Sequence, residues 1–483
     1  MNHALGNVRM SGFRRKSSGA EASAGEPWSW AEVFVICQTA LPAILYLPGT
    51  QGIRPVARVG AYAISLLILF AGFSKNYFNS KNLHSSFGPL KVCIAFLSLM
   101  VFHPLTANFT VGIATVGFYL AILAPLIWAP WYVKSPERLH CLLWILLICN
   151  GVNSLVGVLQ VHDPARWMPV EFSEIVMRSS AGLSVVTYKG ADGSLIIRPP
   201  GLFDTPGAVA GPGLLAGFLG LVLSMQAKDP RTRFLAAGLA FCGISVIYLS
   251  LVRSALLVMA GMLGAYGIVQ HQSSQRSKVT QLLILVTLVS FGGYKLAAIY
   301  GGESIEQRFS SIIEEKPTEF YYRWRGIDVE NGFKEILPKY PLGAGLGRWG
   351  MVSHYLGGGG GSEGGMSAET QFPAWIIDGG AVLLMGYCMA LWIALRSLYE
   401  VIQKTSHERL QSLSIIVLAM SFGMVAHCFS FPVFSTQLGL QFWFLIGASF
   451  GAVRHASDSA SLPKTHTEAE RLEKKRFLYR SAD

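Results

Sequence analysis

Five arginines at or beyond the ends of the apolar stretches carry the side chains best suited to chemistry. They are Arg198, Arg253, Arg323, Arg325 and Arg348. A guanidinium keeps its charge and presents a planar fork of N–H donors, which fits the oxygens of a phosphate. Two of them lie in EFYYRWRG (319–326), where aromatic rings beside arginines suit either sugar binding next to a phosphate or anchoring at a membrane surface. Arg253 interrupts an apolar run, so it needs water or a partner.

The segment GLGRWG (345–350) has the spacing of a dinucleotide-binding loop. That pattern indicates a nucleotide site only when it follows a strand and opens a helix. The preceding residues, Lys339-Tyr340-Pro341-Leu342, contain a proline and no strand alternation. We therefore expect no nucleotide here. The glycines permit either a close chain reversal or a loop in which Arg348 and backbone N–H groups approach an anion.

The composition predicts a membrane protein. Of 483 residues, 52% are hydrophobic and 14% are charged, whereas about a quarter of the residues in soluble domains are charged. Twelve apolar segments approach the roughly 20 residues that a helix needs to cross a bilayer. They are 31–48, 56–73, 88–103, 109–128, 138–161, 206–225, 232–250, 253–270, 279–298, 370–395, 411–430 and 433–453. We expect an all-α polytopic fold of about twelve transmembrane helices, with a tight hairpin at Arg253.

Lysines and arginines are distributed unevenly between the loops. With both termini in the cytoplasm, the short outward loops hold only Arg54, Arg58 and Arg253. The inward loops hold Lys75, Lys81, Lys91, Lys134, Arg138, Lys228, Arg231, Arg233, Arg276, Lys278, Arg396, Lys404 and Arg409. This asymmetry follows the positive-inside rule, and it explains the net charge of +11 without a nucleic acid partner. It predicts a cytoplasmic N-terminal tail (1–27), a membrane domain (28–455) and a basic cytoplasmic tail (456–483).

Two long connections come out on the outer face, at 162–205 and 299–369. In the first, Asp204 or Thr205 is expected to cap a helix that begins at Pro206. The second lies between helices nine and ten and shows apolar residues at three- and four-residue steps, so it is expected to be partly helical. Glu369 directly precedes helix ten, where a carboxylate also favours the helix dipole.

The seven cysteines all lie in apolar segments, without a C-x-x-C pair or a histidine at metal-binding spacing. They are expected to be small buried hydrophobes. We expect neither a metal site nor a cofactor.

In their order along the chain, these segments resemble the O-antigen ligase and O-antigen polymerase superfamily of bacterial envelope enzymes. The resemblance rests on Arg198 followed by Gly-Leu-Phe and Pro206, on the Arg-Ser-Ala-Leu-Leu sequence that begins at Arg253, and on the large outer loop. It is closest at RWRGIDVENGFKEILPKYPLGAGLGRWG (323–350), where members carry an arginine, a helix and a Pro-Leu-x-Gly-x-Gly turn. It covers residues 195–395.

The resemblance implies a class C glycosyltransferase-like fold in the bacterial cytoplasmic membrane, with the active site on the outer face. The donor would be an oligosaccharide on undecaprenyl pyrophosphate, and the acceptor a saccharide hydroxyl. Neither a nucleotide sugar nor a metal is needed, and other polysaccharide-assembly proteins are expected partners. Arg198, Arg253 and Arg325 or Arg323, with Arg348 nearby, would stabilise the charge on the pyrophosphate leaving group.

The chain departs from the family at one important position. Ligases of the family typically carry a histidine at the start of the helix after the large loop, whereas this chain has Ser367-Ala368-Glu369-Thr370. Glu369 or His354 could accept the proton of the acceptor hydroxyl, or no side-chain base is needed. The departure favours a polymerase over a ligase.

A polysaccharide or lipid transporter is the main alternative outside the enzymes. Transporters typically show internal repeats and ionisable residues within their membrane helices. The sequence shows no repeat, and its clearest ionisable residue in an apolar segment is His427, which we expect to be a packed or hydrogen-bonded side chain.

Overall fold

Helices dominate the part of the chain that the structure, a computed structural model, describes: residues 28–73, 83–170, 172, 186–272, 276–314, 316–350, 352–353 and 366–461. The long helices are α1 (Trp30–Ala40), α2 (Arg54–Phe73), α3 (Phe87–Met100), α4 (Phe109–Tyr132), α5 (Pro136–His162), α6 (Ala210–Gln226), α7 (Pro230–Leu249), α8 (Arg253–Gln272), α9 (Arg276–Glu314), α10 (Gln371–Lys404), α11 (Glu408–His427) and α12 (Gln437–Ser461). A 3₁₀ helix, Leu41–Tyr46, extends α1.

Eight helical segments of the described chain are long and apolar enough to cross a membrane. They lie in α2, α4, α5, α7, α8, α9, α10 and α11, while Trp30–Tyr46, α3 and α6 are shorter apolar helices. The protein is therefore an all-α polytopic membrane protein. Each of the twelve predicted apolar segments falls on one of the long helices, and the hairpin at Arg253 is confirmed because α7 ends at Leu249. The number of crossings stays a prediction.

Small residues let the central helices approach closely. A methyl group built on Gly213 would lie 2.7 Å from the carbonyl oxygen of Gly243, which belongs to the facing helix α7. Gly447 of α12 faces Pro125 of α4 in the same way, at 2.7 Å from its carbonyl oxygen. Close packing of this kind drives helix association in a bilayer, where the hydrophobic effect contributes little between helices. These contacts hold the bundle that surrounds the cavity described below.

The first of the two predicted outer loops contains a short helix, Pro164–Trp167, and an antiparallel hairpin of two strands, β1 (Thr187–Lys189) and β2 (Leu195–Ile197). The expected helix start at Pro206 is wrong, because residues 201–209 form turns and α6 begins at Ala210. Gly207 has a φ of +79°, which interrupts a helix, and its N–H donates back to Arg198 O and Pro199 O. Residues 173–185 lie outside the described residues.

The second outer loop is partly helical, as predicted. Helix α9 extends beyond the expected end at 298, breaks at Gly302 (φ 49°) and continues to Glu314. Five helical pieces then follow one another, which together we call the loop helix (317–339). They are Pro317–Tyr321, the π-helical Tyr322–Gly326, Ile327–Asn331, the π-helical Gly332–Ile336 and Leu337–Lys339.

The glycine turn after the loop helix packs against the backbone of α10 and of the connection between α3 and α4. Gly343, Gly345 and Gly347 all have positive φ. A methyl group on Gly343 would lie 2.9 Å from the Gly379 nitrogen, and one on Gly345 would overlap the carbonyl of Leu105. Ala344 N–H donates to Ile377 O at 2.7 Å, which ties the turn to α10 near its break at Gly379 and Gly380. The glycines of GLGRWG therefore serve a close chain reversal.

Replacing Gly345 should destabilise the protein measurably. In Gly345→Ala, the left-handed backbone alone costs about 1–2 kcal/mol, and overlap with the Leu105 carbonyl adds to this. We expect a lower midpoint of thermal unfolding in detergent. Gly88→Ala is the matched control, since Gly88 lies in α3 with open space around it and alanine favours a helix. Equal midpoints for the two variants would contradict the packing role of Gly345.

Candidate functional site

A cavity of about 1240 Å³ lies at one end of the helix bundle. Its wall includes the C-terminal ends of α1 and α11 and the N-terminal parts of α2, α4, α6, α8, α10 and α12. The loop segments before α6 and α10 complete it. The distribution of lysines and arginines between the loops predicts that all these helix ends lie on the same face of the membrane, the outer face.

The cavity brings together most of the predicted site residues. Arg198, Arg253, Arg325 and Glu369 line it. Arg323 is exposed and Arg348 is half-buried, and neither is among the lining residues. The Arg348 guanidinium donates to the carbonyl of Ala344, four residues earlier, at 3.4 Å. His354 lies outside the described residues.

Two arginines brace the tip between α7 and α8. Arg198 Nε donates to Ser250 O at 2.7 Å, and Arg308 Nε donates to Leu251 O at 3.5 Å. Leu251 has a φ of 58°, a left-handed conformation that is costly for a side chain of this kind. Burial lowers the pKa of Arg198, and the charge of Arg308 beside it lowers it further. The protein thus holds two like charges together at the cavity wall, an arrangement that an anion would stabilise.

Sequence reasoning missed Arg308, which lies on α9 beyond the break at Gly302 and lines the cavity. The available signal was its place beside Phe309 and one turn after Ile305, both of which are buried. A cation on the apolar side of an amphipathic helix must find a partner or a polar cavity.

Glu369 and Arg325 form an ion pair at the edge of the cavity. The neighbouring backbone is held by Asp328 of the loop helix, whose Oδ2 accepts from Glu369 N (3.2 Å), Thr370 N (2.9 Å) and Thr370 Oγ1 (2.8 Å). Asp328 therefore supplies a cap for the start of α10, and Glu369 is left to pair with Arg325. Burial lowers the pKa of Arg325, while nearby Asp328 and Tyr321 act in the opposite direction.

A buried carboxylate organises the opposite wall. Asp204 is 2% exposed, and both of its oxygens accept from Arg58 Nη2, at 2.8 and 2.7 Å. Arg54 Nε lies 3.7 Å from the same carboxylate, and Arg54 Nη1 donates to Phe172 O at 2.9 Å. Two of the three outward arginines therefore tie α2 to the first outer loop. Asp204 acts as their counter-ion instead of capping a helix.

A second buried carboxylate lies within a membrane helix. Asp378 of α10 is 3% exposed and accepts from Tyr119 Oη of α4 at 2.7 Å. The Trp349 side chain, from the glycine turn, also hydrogen-bonds to it. Asp378 therefore fastens that turn to two helices, at a position directly before the break in α10.

The described lining is positive overall. Its arginines are Arg58, Arg198, Arg253, Arg308 and Arg325, and its carboxylates are Asp204, Glu369 and Asp378. Within the described ranges, no group of three or more His, Cys, Asp or Glu residues could hold a metal ion. The arrangement suits an anionic ligand whose charge is met by guanidinium groups. Comparison of the chain with known protein families and with curated proteins finds no match.

Asp204 can be tested by a substitution that keeps its shape. Asp204→Asn leaves Arg58 and Arg54 without their buried counter-ion, and breaking a buried pair in this way costs about 3–5 kcal/mol. We expect unfolding at a clearly lower denaturant concentration, followed by tryptophan fluorescence in detergent. Asp192→Asn is the control, because Asp192 is exposed in the hairpin turn and accepts only locally from Ser194. Coincident unfolding curves would contradict the role given to Asp204.

Proposed function

We propose that the protein is a polymerase of lipid-linked oligosaccharide repeat units in the bacterial cytoplasmic membrane. It elongates a surface polysaccharide or O-antigen on undecaprenyl pyrophosphate at the outer face, without a metal or a nucleotide. Twelve crossings and a class C glycosyltransferase-like fold belong to the same proposal. The observation that carries it is the large cavity with five arginines at one end of a membrane bundle.

In the proposed reaction, negative charge develops on the leaving pyrophosphate, and the arginines of the cavity are proposed to stabilise it. The acceptor hydroxyl oxygen attacks the anomeric carbon of the donor sugar, and the bond from that carbon to the pyrophosphate oxygen breaks. The leaving undecaprenyl pyrophosphate takes the electron pair. Arg198, Arg253 and Arg325 are the proposed contacts for this anion, since prearranged cations stabilise charge that develops in the transition state. Arg58 is already bound to Asp204 and has a structural role.

An O-antigen ligase would use the same donor and differ only in its acceptor, a lipid or a protein. The absence of the ligase histidine from 367–370 favours the polymerase. A transporter is favoured by one specific observation, the buried Asp378 within α10, because ionisable residues inside membrane helices are typical of transport pathways. Its bonds to Tyr119 and Trp349 give Asp378 a structural explanation as well.

The proposed orientation predicts which loops an impermeant thiol reagent reaches. A cysteine at Ser194, in the hairpin turn, should react in intact spheroplasts, whereas a cysteine at Ser406, between α10 and α11, should react only after lysis. Both positions are exposed, so their chemical environments are comparable. The unsubstituted chain, with its seven cysteines, provides the background signal. The reverse pattern of labelling would overturn the orientation.

Arg325 and Arg323 provide a matched pair for testing the mechanism. Arg325→Ala removes a cavity cation and should lower chain elongation by about a hundredfold or more, as for the loss of one transition-state donor. Arg323→Ala removes an exposed arginine two residues away and should retain elongation. Arg198→Lys keeps the charge but loses the planar fork, so it should also be impaired. The measurement is complementation of a deletion strain, with the glycan separated on a gel and the protein quantified in the membrane.

Loss of long chains with persistence of single repeat units would support polymerisation. Persistence of full-length free glycan that is no longer attached to its acceptor would indicate a ligase instead. Normal elongation in Arg198→Ala, Arg253→Ala and Arg325→Ala, with folded protein present, would refute the arginine mechanism and favour the transporter.

A further inference from the structure

A histidine lines the same cavity from a helix outside residues 195–395, which carry the family resemblance. His427 is the last residue of α11, and its half-buried ring lines the cavity with Arg325 and Glu369. It is therefore at a helix end and not in the middle of an apolar segment. Its position needs an explanation beyond packing.

The turn after His427 is held firmly by its surroundings. Ser430 N and Phe431 N both donate to His427 O at 2.9 Å, which closes the end of α11. Gln371 N of α10 donates to Cys428 O at 3.0 Å, and Tyr321 Oη of the loop helix donates to Phe429 O at 3.1 Å. The start of α10 and the loop helix thus hold the backbone that follows His427 close to the segment that carries Arg325.

One hydroxyl contacts both the ring and the backbone of His427. Ser430 Oγ lies 3.1 Å from His427 O and 2.8 Å from His427 Nδ1, and its single proton can serve either acceptor. When that proton serves the carbonyl, Oγ accepts from Nδ1, and the neutral ring carries its hydrogen on Nδ1. Nε2 then keeps its lone pair, which is the tautomer that a proton acceptor requires.

The two carboxylates of the cavity that are closest to the proposed chemistry already have partners. Glu369 is paired with Arg325, and Asp378 accepts from Tyr119 and Trp349. Protonation of either carboxylate would remove the negative charge that these donors face. The Arg325 guanidinium, which is paired with Glu369, also acts electrostatically on the His427 ring.

We propose that His427 is the general base of the reaction, a role that rests on the proposed function. Nε2 accepts the proton of the acceptor hydroxyl while the hydroxyl oxygen bonds to the anomeric carbon. The bond between that carbon and the pyrophosphate oxygen breaks, and undecaprenyl pyrophosphate leaves with the electron pair. The imidazolium afterwards returns its proton to water or to the leaving pyrophosphate. Ser430 is a positioning residue that fixes the tautomer.

His427→Asn separates the base from the packing role. An asparagine places an amide N–H close to where Nδ1–H lies, so the contact with Ser430 can persist, but nothing replaces Nε2. Loss of a general base typically costs 10²- to 10⁴-fold, so we expect at least about a hundredfold loss of elongation. His162→Asn is the matched control, since His162 also ends a helix and its Nδ1 also contacts a hydroxyl, Tyr300 Oη at 2.7 Å. It should retain wild-type elongation.

The assay uses purified protein in nanodiscs with undecaprenyl-pyrophosphate-linked oligosaccharide extracted from the deletion strain. Binding of undecaprenyl pyrophosphate is measured beside turnover, and His427→Asn should bind it as the wild type does, whereas Arg198→Ala should not. The dependence of kcat/KM on pH is measured for both proteins. The wild type should lose activity at low pH, where its base is protonated, and the residual activity of His427→Asn should not show this loss. A purely structural role for His427 would leave the loss at low pH in place.

The outcomes distinguish the two proposals. If His427→Asn elongates normally while Arg198→Ala is inactive, His427 is not the base and the proposed function stands. If Glu369→Gln abolishes turnover under the same conditions, with donor binding intact, the base is Glu369. If the folded wild-type protein elongates nothing from the extracted donor, the proposed function fails, and the role of His427 fails with it.

Discussion

The short tip between α7 and α8 is the point on which the cavity depends. Its carbonyls at Ser250 and Leu251 accept from Arg198 and Arg308, which come from the first outer loop and from α9. Three separate parts of the chain are thus joined through one turn in a strained conformation. The two guanidinium groups lie beside each other at the cavity wall, where an anion would stabilise both.

Local patterns were sufficient to predict the helices but not the cavity. Apolar runs and turn residues near Arg253 identified α7 and α8 because membrane crossing is a property of a single segment. Arg323 and Arg325 were left as alternatives, although residues two apart on a helical stretch point to different sides. The structure separates them on this ground: Arg325 faces the cavity and Arg323 is exposed.

Other features depended on partners far away in the sequence. Gly345 of GLGRWG is explained by the carbonyl of Leu105, and the nearby Gly343 by the backbone of Gly379. Neither contact leaves a trace in the segment itself. Asp204 lies at a position where a helix cap is common. Its partners are instead Arg54 and Arg58, and Arg58 is 146 residues earlier in the chain. Asp378 and His427 lie within apolar runs, and only the packing of α4 and the turn after α11 reveals what they contact.

The loop helix is attached to the bundle in two different ways along its length. Its C-terminal part packs through apolar groups: Ile336 and Leu337 contact the core, and Gly332 meets Pro373. Its N-terminal part is held by polar contacts, the exposed ion pair of Arg325 and Glu369 and the bonds of Asp328 and Tyr321. Rising salt weakens exposed ion pairs, whereas it does not weaken apolar packing. Ionic strength therefore acts selectively on the end of the segment that carries Arg325, so that raised salt loosens one wall of the cavity while the bundle beneath it stays folded.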